Sequence, residues 1–356
     1  FLKMKLQTPL ICLLIICDLC KAFMPGQPSI VPVRRAAPGL KMNTGTTEAA
    51  SFQEEQVDLS SGVSMKVEWS KPANPQQPPL IFLHGSFHGG WCWTERFFPY
   101  FKNQGYPCVA LNWRGTGGTY AGEGVKKVKM EEHVSDLKAF LEEFVPDKFG
   151  SQQKPILISH SFGGLSIMKY LEESPETGSK WGGAVIMCSV PPSGNGPMTM
   201  RFLRRSLKAS WKITAGLAMK KVIKDPNLCR DLFFGGREDS HGVSDNDVSR
   251  YMNNFERDSE ATIDLMDLAK KLPSAQTDEK GRALFLSSSS PMPPFLVMGA
   301  TEDFIVDKEG VDETAIYFGL DKAVMVDSPH DVMIGRNFEN AAGEIHQWVQ
   351  DVALKQ

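Results

Sequence analysis

Three residues have the types and positions that nucleophilic catalysis needs. Ser161 lies in KPILISHSFGG (residues 154–164), where an apolar run ends abruptly at a serine flanked by small residues. Asp303 and His330 each follow a later apolar run, and His330 lies within the sequence DSPHD. A serine hydroxyl is a weak nucleophile until a base removes its proton, and a carboxylate fixes the tautomer of that base. The sequence therefore predicts Ser161 as the nucleophile, His330 as the general base and Asp303 as its acid partner.

The segment around Ser161 predicts a sharp turn from a strand into a helix. Residues 155–158 form a short apolar run, and residues 165–171 (LSIMKYL) continue with helical periodicity. A serine exposed on such a turn needs small residues two positions before and after it, and Ser159 and Gly163 meet that need. Ser159 stands where the pattern G-x-S-x-G has its first glycine, so an ordinary Gly-Gly loop after a strand is the alternative interpretation.

The elements that must position these residues alternate along the chain. Apolar runs predict buried strands at residues 80–83, 106–111, 155–158, 183–190, 294–298 and 323–326. Amphipathic helices are predicted at 130–144 and 338–354, and the alternating segment 62–70 predicts the edge strand of a half-exposed sheet. Strands alternating with helices indicate a parallel α/β sheet, whose ligands lie at the carboxyl ends of its strands.

The strand pattern is interrupted after residue 190. Helical, Met-rich and basic segments such as 198–222 replace it up to about residue 290. We expect a helical lid over residues 191–290, between a first core part at 51–190 and a second at 291–356. Most apolar side chains of the lid would pack on the core, and the soft methionines suit an adaptable apolar cavity for the remainder.

Four motifs together resemble the α/β-hydrolase superfamily over residue 62 to the C-terminus. They are His84-Gly85 after an apolar strand, the SHSFGG turn, the segment GATEDF that contains Asp303, and SPHD, in the order Ser, Asp, His. The segment HGSFHGGWCW is further similar to the plant methylesterase and hydroxynitrile lyase branch, and SVPPSGNGP to plastid-type hydrolases of plants and algae. The resemblance implies an α/β-hydrolase fold: a mostly parallel sheet flanked by helices, with the helical lid subdomain inserted after the sixth strand.

The resemblance also implies roles for the neighbours of the triad. The backbone N–H groups of Ser86 and Phe162 would form the oxyanion hole, with Phe87 or Gly85 as the alternative source of the first donor. Phe87 and His88 are expected at the rim of the substrate cavity. For His88 a structural hydrogen bond is the alternative.

Two nearby residues compete for, or flank, these roles. Glu302 is adjacent to Asp303, and the superfamily spacing favours Asp303 as the triad acid. His84 is expected to brace its loop rather than to react. No metal or organic cofactor is implied, because the triad supplies the nucleophile, the base and the electrostatic stabilisation unaided.

A serine at the turn favours ester hydrolysis through an acyl-enzyme. The family patterns of haloalkane dehalogenases and epoxide hydrolases of this fold have an aspartate at this turn, so the serine argues against both of those reactions. The apolar lid predicts a carboxylic ester with a hydrophobic part as the small-molecule partner. A hydroxynitrile lyase-type lyase and a slow-turnover ligand receptor remain alternatives. The net charge of −3 argues against nucleic acid as a partner, because phosphate binding needs a basic surface. The oligomeric state is not predicted.

The first fifty residues have the composition of a targeting segment. An apolar run at residues 8–20 follows two lysines and predicts a signal peptide over residues 1–22. Residues 23–47 contain no acidic residue, so residues 23–50 resemble a transit peptide. We expect a plastid location, with secretion as the alternative, and no stable membrane span after processing. The chain has seven cysteines and none forms a C-x-x-C pair, so neither a zinc site nor a disulfide framework is predicted.

Overall fold

The computed structural model describes residues 52–355, except residues 219, 237–242 and 336. The expected signal peptide at 1–22 and the whole transit-like segment at 23–50 lie outside the described residues. Within the described part of the chain, no helix is both long enough and apolar enough to cross a bilayer.

The described residues form one large sheet and one small sheet. The strands are β1 Gln53–Asp58, β2 Ser64–Ser70, β3 Leu80–Leu83, β4 Cys108–Leu111, β5 Lys127–Val128, β6 Ile156–His160, β7 Gly183–Met187, β8 Thr262–Ile263, β9 Phe295–Ala300 and β10 Val324–Val326. The large sheet has the order β1-β2-β4-β3-β6-β7-β9-β10, and β5 pairs with β8 in the small one. The pairs β1–β2 and β2–β4 are antiparallel, and the other pairs are parallel. The sheet is thus mostly parallel, as the family resemblance implies.

Helices flank this sheet and make up most of the segment between β7 and β9. They are α1 Trp91–Thr94, α2 Phe97–Asn103, α3 Met130–Ala139, α4 Val145–Phe149, α5 Phe162–Glu173, α6 Asn195–Arg205, α7 Leu207–Ile213, α8 Pro226–Phe233, α9 Asp245–Arg257, α10 Leu265–Leu268, α11 Lys308–Tyr317 and α12 Phe338–Asp351. A π-helical turn at Phe140–Phe144 joins α3 to α4. Short 3-10 helices lie at Pro175–Lys180, Lys221–Ile223, Pro273–Gln276, Leu284–Ser287 and Ala353–Lys355, and a second π-helical turn at Thr214–Ala218.

The central strands are buried on both faces because helices cover both sides of the sheet. Every residue of β3, β4, β6, β7 and β9 is buried, which explains their continuous apolar sequences. These strands run in parallel, so their carboxyl ends share one edge of the sheet. Ser161 follows β6, Asp303 follows β9 and His330 follows β10, and this edge therefore gathers the three predicted residues.

The predicted edge strand is corrected by the structure. Residues 64–70 form β2, which is an interior strand between β1 and β4. The edge is β1, whose sequence QEEQVD is largely exposed and polar. An edge strand with solvent on its faces needs no apolar alternation, so β1 left no hydrophobic signal in the sequence.

The segment between β7 and β9 is largely helical and follows the sixth strand of the large sheet in chain order. Arg201 of α6 donates to both carboxylate oxygens of Asp307, at 2.6 Å each. At the other end of the segment, the buried carboxylate of Asp258 accepts from the indole Nε1 of Trp91 and from the N–H of Gly117, both at 2.8 Å. Polar contacts therefore join this helical segment to loops of the core at two separate places.

The carboxyl of Glu68 in β2 is expected to make stability fall with rising pH. Burial raises its pKa from 4.5 to about 7, and the hydrogen bond from Asn112 Nδ2 at 2.7 Å only partly opposes that effect. As the pH rises, the unfolded chain loses the Glu68 proton at a lower pH than the folded chain does. The contribution of the protonated carboxyl to the unfolding free energy is therefore fully present below pH 4.5 and is lost as the pH rises to about 7. Glu68→Gln should therefore gain about 2–3 kcal/mol in unfolding free energy relative to the parent between these limits.

Urea unfolding at a series of pH values measures this difference. The matched control is Glu123→Gln, because Glu123 is an exposed loop glutamate that does not contribute to the pKa shift of Glu68. Parallel stability curves for the parent and Glu68→Gln would contradict the expectation.

Candidate active site

Ser161 occupies a strained turn between β6 and α5. Its backbone has φ 53° and ψ −122°, a conformation that residues other than glycine rarely adopt. Two following glycines make the turn sterically possible. A Cβ at position 163 would lie 2.6 Å from the carbonyl oxygen of Leu83, and one at position 164 would lie 2.1 Å from Ser189 Oγ. Ser161 is therefore presented at the carboxyl edge of the sheet, as a nucleophile at this turn must be.

The serine at position 159 is accommodated inside the sheet. Ser159 is fully buried in β6, and its hydroxyl donates to the carbonyl oxygen of Val185 in β7 at 3.1 Å. Its polar group is satisfied and its side chain is small. The departure from G-x-S-x-G therefore leaves the turn intact.

Asp303 and His330 form a buried hydrogen-bonded pair. The Nδ1 atom of His330 lies 2.8 Å from Asp303 Oδ2, and both side chains are almost fully buried. The other carboxylate oxygen, Oδ1, accepts from the N–H groups of Ile305 and Val306 at 2.7 and 2.8 Å. Glu302 is exposed, so Asp303 is the carboxylate that faces His330. This arrangement holds the imidazole with Nδ1–H toward Asp303 and leaves Nε2 to act as a base.

The pKa of His330 is shifted by two opposing effects. Burial lowers it, but the carboxylates of Asp303 and Asp331 raise it by more, and the pKa lies above its usual value of 6.5. His330 thus binds a proton more readily than a free imidazole does. This is the property needed to stabilise the imidazolium formed when a serine loses its proton.

The Ser161 turn and the His330 loop are joined through His160. The Nε2 atom of His160 donates to the carbonyl oxygen of His330 at 2.9 Å, and the two imidazole centroids are 4.7 Å apart. Burial holds the pKa of His160 well below its usual value, so this imidazole is neutral. The sequence contained His160 in the SHSFGG motif without indicating this role.

The loop after β3 approaches the nucleophile closely. A Cβ on Gly85 would lie 2.7 Å from Ser161 Cβ and 3.3 Å from Ser161 Oγ, so only glycine fits there. The next residue, Ser86, and the first helical residue, Phe162, offer their N–H groups beside this contact. Neither of these two N–H groups donates in a described backbone–backbone hydrogen bond of a loop, turn or helix cap. The sequence predicts these two amides as the donors of a two-donor oxyanion hole.

A small cavity begins beside these amides. Its walls include Gly85, Ser86, Phe87, Phe162, Trp113 and His133. Ser161 and His88 are not among the lining residues. The backbone of Phe87 has a φ of 68°. Burial lowers the pKa of the His133 imidazole to about 3, so this ring is neutral. Aromatic rings thus share the walls of the described cavity with polar residues such as Arg114, Thr116 and Asp258.

The model of the alpha/beta hydrolase family matches residues 80–339. This range covers most of the chain and contains Ser161, Asp303 and His330. The chain belongs to the alpha/beta hydrolase family.

The curated relatives match only part of this alpha/beta hydrolase. Norfluorocurarine synthase 1 of Strychnos nux-vomica is 28% identical over 36% of this chain and 44% of its own length. Methylesterase 18 of Arabidopsis thaliana is 31% identical over 25% of this chain and 31% of its own. The chain thus spans less than half the length of these relatives.

Solved structures of low sequence identity share the fold. A putative aryl esterase from Burkholderia cenocepacia has a TM-score of 0.57 and 17% identity, covering 85% of this chain and 100% of that one. Potato (Solanum tuberosum) epoxide hydrolase I has a TM-score of 0.58 and 16% identity, covering 84% and 99%. This chain shares the alpha/beta hydrolase fold with both proteins, one of which is named an esterase and the other an epoxide hydrolase.

His88 of this alpha/beta hydrolase is buried between the loops that contain Ser86 and Asp331. It is 1% exposed, its Nδ1 atom lies 2.8 Å from the carbonyl oxygen of Ser86, and its Nε2 atom lies 2.9 Å from Asp331 Oδ2. The ring stacks on Trp91 with a centroid distance of 5.7 Å. These contacts are those of a structural hydrogen-bonded histidine, which the sequence left open as the alternative to a substrate contact.

The contacts of His88 join the two loops that flank the nucleophile. Ser86 belongs to the expected oxyanion hole, and Asp331 follows the general base His330. The two partners of the imidazole are the carbonyl oxygen of Ser86 and the carboxylate of Asp331. We call this contact the His88 bridge. It fixes the oxyanion loop relative to the base loop.

His84 braces the same loop, as predicted. Its Nδ1 atom lies 2.7 Å from the carbonyl oxygen of Gly85, and its Nε2 atom lies within 3.3 Å of the Trp113 N–H and 3.1 Å of Thr116 Oγ1. Burial lowers the pKa of His84 to about 4. The ring is therefore neutral and hydrogen-bonded rather than available for proton transfer.

Two groups of side chains in the described part of the hydrolase have the spacing of metal ligands. They are His160, His330 and Asp331, and Cys188, Asp303 and His330, with ligand atoms within 4.8 Å of one another. Both groups contain His330, whose Nδ1 atom already binds Asp303. We assign them to the hydrogen-bond network of the triad.

Breaking the His88 bridge is expected to lower activity without removing any triad residue. Asp331→Asn and His88→Asn should each reduce kcat/KM for a soluble ester by up to about 10²-fold, because small displacements of catalytic groups have effects of that size. Asp331→Asn should also move the acid limb of the pH profile to lower pH, since Asp331 raises the pKa of His330.

The double variant separates positioning from general destabilisation. If the two residues act through one contact, the double variant should be little worse than either single variant. His346→Asn is the control, because His346 bonds the Tyr106 hydroxyl at 2.9 Å outside the site. Additive losses, or an unmoved acid limb in Asp331→Asn, would contradict the bridge.

Proposed function

We propose that the protein is a serine hydrolase that cleaves a carboxylic ester through an acyl-enzyme formed on Ser161. The observation that carries this proposal is the strained turn at Ser161, at the same edge of the sheet as a histidine whose Nδ1 atom is held 2.8 Å from a buried carboxylate. Relatives named methylesterases and a fold neighbour named as a putative aryl esterase support ester hydrolysis. Epoxide hydrolases also appear among the similar proteins, but serine rather than aspartate stands at the turn here.

In this proposal the reaction has two half-reactions. Ser161 Oγ attacks the ester carbonyl carbon while His330 Nε2 takes the hydroxyl proton, and the Ser86 and Phe162 N–H groups stabilise the oxyanion. The tetrahedral intermediate expels the alcohol, which receives the proton from His330. Water then attacks the acyl-enzyme with His330 again as base, and collapse releases the carboxylic acid and restores Ser161.

The walls of the cavity support an uncharged, hydrophobic group in the substrate. Phe87, Phe162 and Trp113 contribute aromatic surface. The charged residues at its edge are already paired: Arg114 donates to Asp136 at 2.7 and 2.8 Å, and Arg257 donates to Asp258 at 2.8 and 2.7 Å. An anionic or cationic substrate group would find no unpaired partner in this described cavity. We therefore propose a neutral ester with an apolar acyl or alcohol part.

A panel of uncharged esters with graded acyl and alcohol groups tests the substrate class. We expect multiple turnovers with rates in the ordinary enzyme range, about 1 to 10³ per second, and a covalent acyl-enzyme in rapid-quench mass spectrometry. Cleavage of a cyanohydrin without an acyl-enzyme would favour a lyase instead. Binding with one or no turnover would favour a receptor.

A further inference from the structure

Two large apolar side chains on the lid are exposed to solvent side by side. Leu207 and Trp211 lie four residues apart in α7, which places them on the same face of the helix, and they are 76% and 49% exposed. A tryptophan and a leucine together on one exposed helix face are costly in water and call for a covering surface.

The surroundings of this pair are strongly basic. Residues 201–224 contain eight Lys and Arg and no acidic residue. Three of the cations pair with carboxylates of other segments: Arg201 with Asp307, Arg205 with Asp307 and Glu309, and Lys212 with Asp231.

Three other cations of this stretch are exposed, and one of them lies close to the apolar pair. Arg204, Lys208 and Lys221 are exposed and form no ion pair with a described residue. The Nζ atom of Lys221 lies 5.8 Å from the centre of the Trp211 ring, so the charge and the apolar pair adjoin. We call Arg204, Leu207, Lys208, Trp211 and Lys221 the basic lid face.

The charge of this face decides among its possible occupants. The chain's own segment 23–47 carries only positive charges and would be repelled. A second copy related by a two-fold axis would oppose the same basic face to itself. An anionic bilayer matches both features, because its headgroups attract lysine and arginine while leucine and tryptophan enter the boundary below them.

We propose that the basic lid face docks on the surface of an anionic lipid bilayer. The helix lies along the interface rather than crossing it. Arg204, Lys208 and Lys221 contact the headgroups, and Leu207 and Trp211 are buried among the upper acyl chains.

This face is connected to the loop that carries Asp303. The Phe202 ring stacks on Phe304 with centroids 6.5 Å apart, and Lys212 Nζ lies 5.8 Å from the centre of the same ring. Docking would therefore hold a bilayer beside the segment that covers the site. The additional inference that an apolar ester reaches Ser161 from the bilayer rests on the proposed function, whereas docking itself does not.

Vesicle binding of the full chain tests the proposal. Vesicles of phosphatidylcholine and phosphatidylglycerol should bind the protein, and pure phosphatidylcholine vesicles should bind it at least about tenfold less, since each basic residue near an anionic surface contributes about fivefold. Leu207→Ala/Trp211→Ala and Lys208→Glu/Lys221→Glu should each weaken binding about tenfold or more. Added salt should weaken binding of the parent.

A matched control and a local readout keep the test specific. Leu265→Ala/Met266→Ala removes another exposed apolar pair of the lid, 41% and 55% exposed between Asp264 and Asp267, and should leave binding unchanged. Residues 1–47 are also basic and could bind anionic vesicles themselves, so a local measurement is needed. Peptides from residues 201–224 should show protection from hydrogen–deuterium exchange only with anionic vesicles.

Several outcomes would overturn the docking proposal. They are an absence of protection in 201–224, equal binding by the Leu207→Ala/Trp211→Ala variant, and equal binding to neutral vesicles. A concentration-dependent dimer that this variant abolishes would assign the face to a second copy instead. Hydrolysis of a soluble ester by the docking variants should stay at the parent level, so failure of docking and failure of the proposed function are read separately.

Discussion

Ser161→Ala should reduce kcat for a soluble p-nitrophenyl ester by about 10⁴- to 10⁶-fold, because loss of the nucleophile removes the covalent pathway and leaves only the remaining groups of the site. The same change should abolish labelling by a fluorophosphonate, which reacts with an activated serine hydroxyl. The substitution removes one oxygen atom from a side chain that is 7% exposed, and alanine can occupy the same turn with similar strain. The fold should therefore survive, and circular dichroism with urea unfolding checks that it does.

The control for this experiment is an exposed serine outside the site. Ser249 of α9 bonds only the carbonyl oxygen of Asp245 in its own helix, so Ser249→Ala should keep both activity and labelling. Labelling that persists in Ser161→Ala would reject the serine mechanism. Loss of labelling together with full ester hydrolysis would show that another group performs the reaction.

Asp303→Asn should lower kcat by about 10³- to 10⁴-fold. An amide nitrogen facing His330 Nδ1 would favour the wrong tautomer, and the carboxylate that stabilises the imidazolium would be lost. The backbone contacts of Ile305 and Val306 to position 303 can be kept by the amide oxygen, so the loop should remain in place. The loss is then one of proton transfer rather than of structure.

The pH profile of this variant has a predicted direction. His330 must be neutral to act as a base, so kcat/KM of the parent should rise with pH through an apparent pKa above 6.5. Burial lowers that pKa and Asp303 raises it, so removing the carboxylate should move the remaining acid limb to lower pH. Glu302→Gln, at the exposed neighbouring carboxylate, should leave both the rate and the limb unchanged. An unmoved limb in Asp303→Asn would contradict the assigned partner.

Much of the fold was predictable because its central strands are buried on both faces. A strand covered by helices on both sides must be apolar at every position, and β3 (LIFL) and β7 (GAVIM) have such sequences. The turn after β6 was predictable for a related reason. Gly163 and Gly164 are required by contacts of 2.6 and 2.1 Å that any side chain would make, so the small residues are visible in the sequence.

Other features have no local signature. β1 is polar because it is exposed, and its pairing partner β2 was therefore interpreted as the edge. The His88 bridge joins residues 243 positions apart, and neither HGSFHGG nor SPHD indicates which of its histidines faces which carboxylate. The sequence left both a substrate contact and a structural hydrogen bond open for His88, and only the packed structure shows that both of its ring nitrogens face protein atoms.

The four cysteines of the described residues give this fold a set of internal chemical reporters. Cys92 and Cys108 lie in the core, Cys188 follows β7 with φ 44° beside Asp303, and Cys229 lies in the lid; all four are free and buried. Burial raises the pKa of each thiol, which suppresses the reactive thiolate. An alkylating reagent therefore reaches a thiol only when its surroundings open. Early modification of Cys229 would record movement of the lid alone, and simultaneous modification of all four would record unfolding of the whole unit.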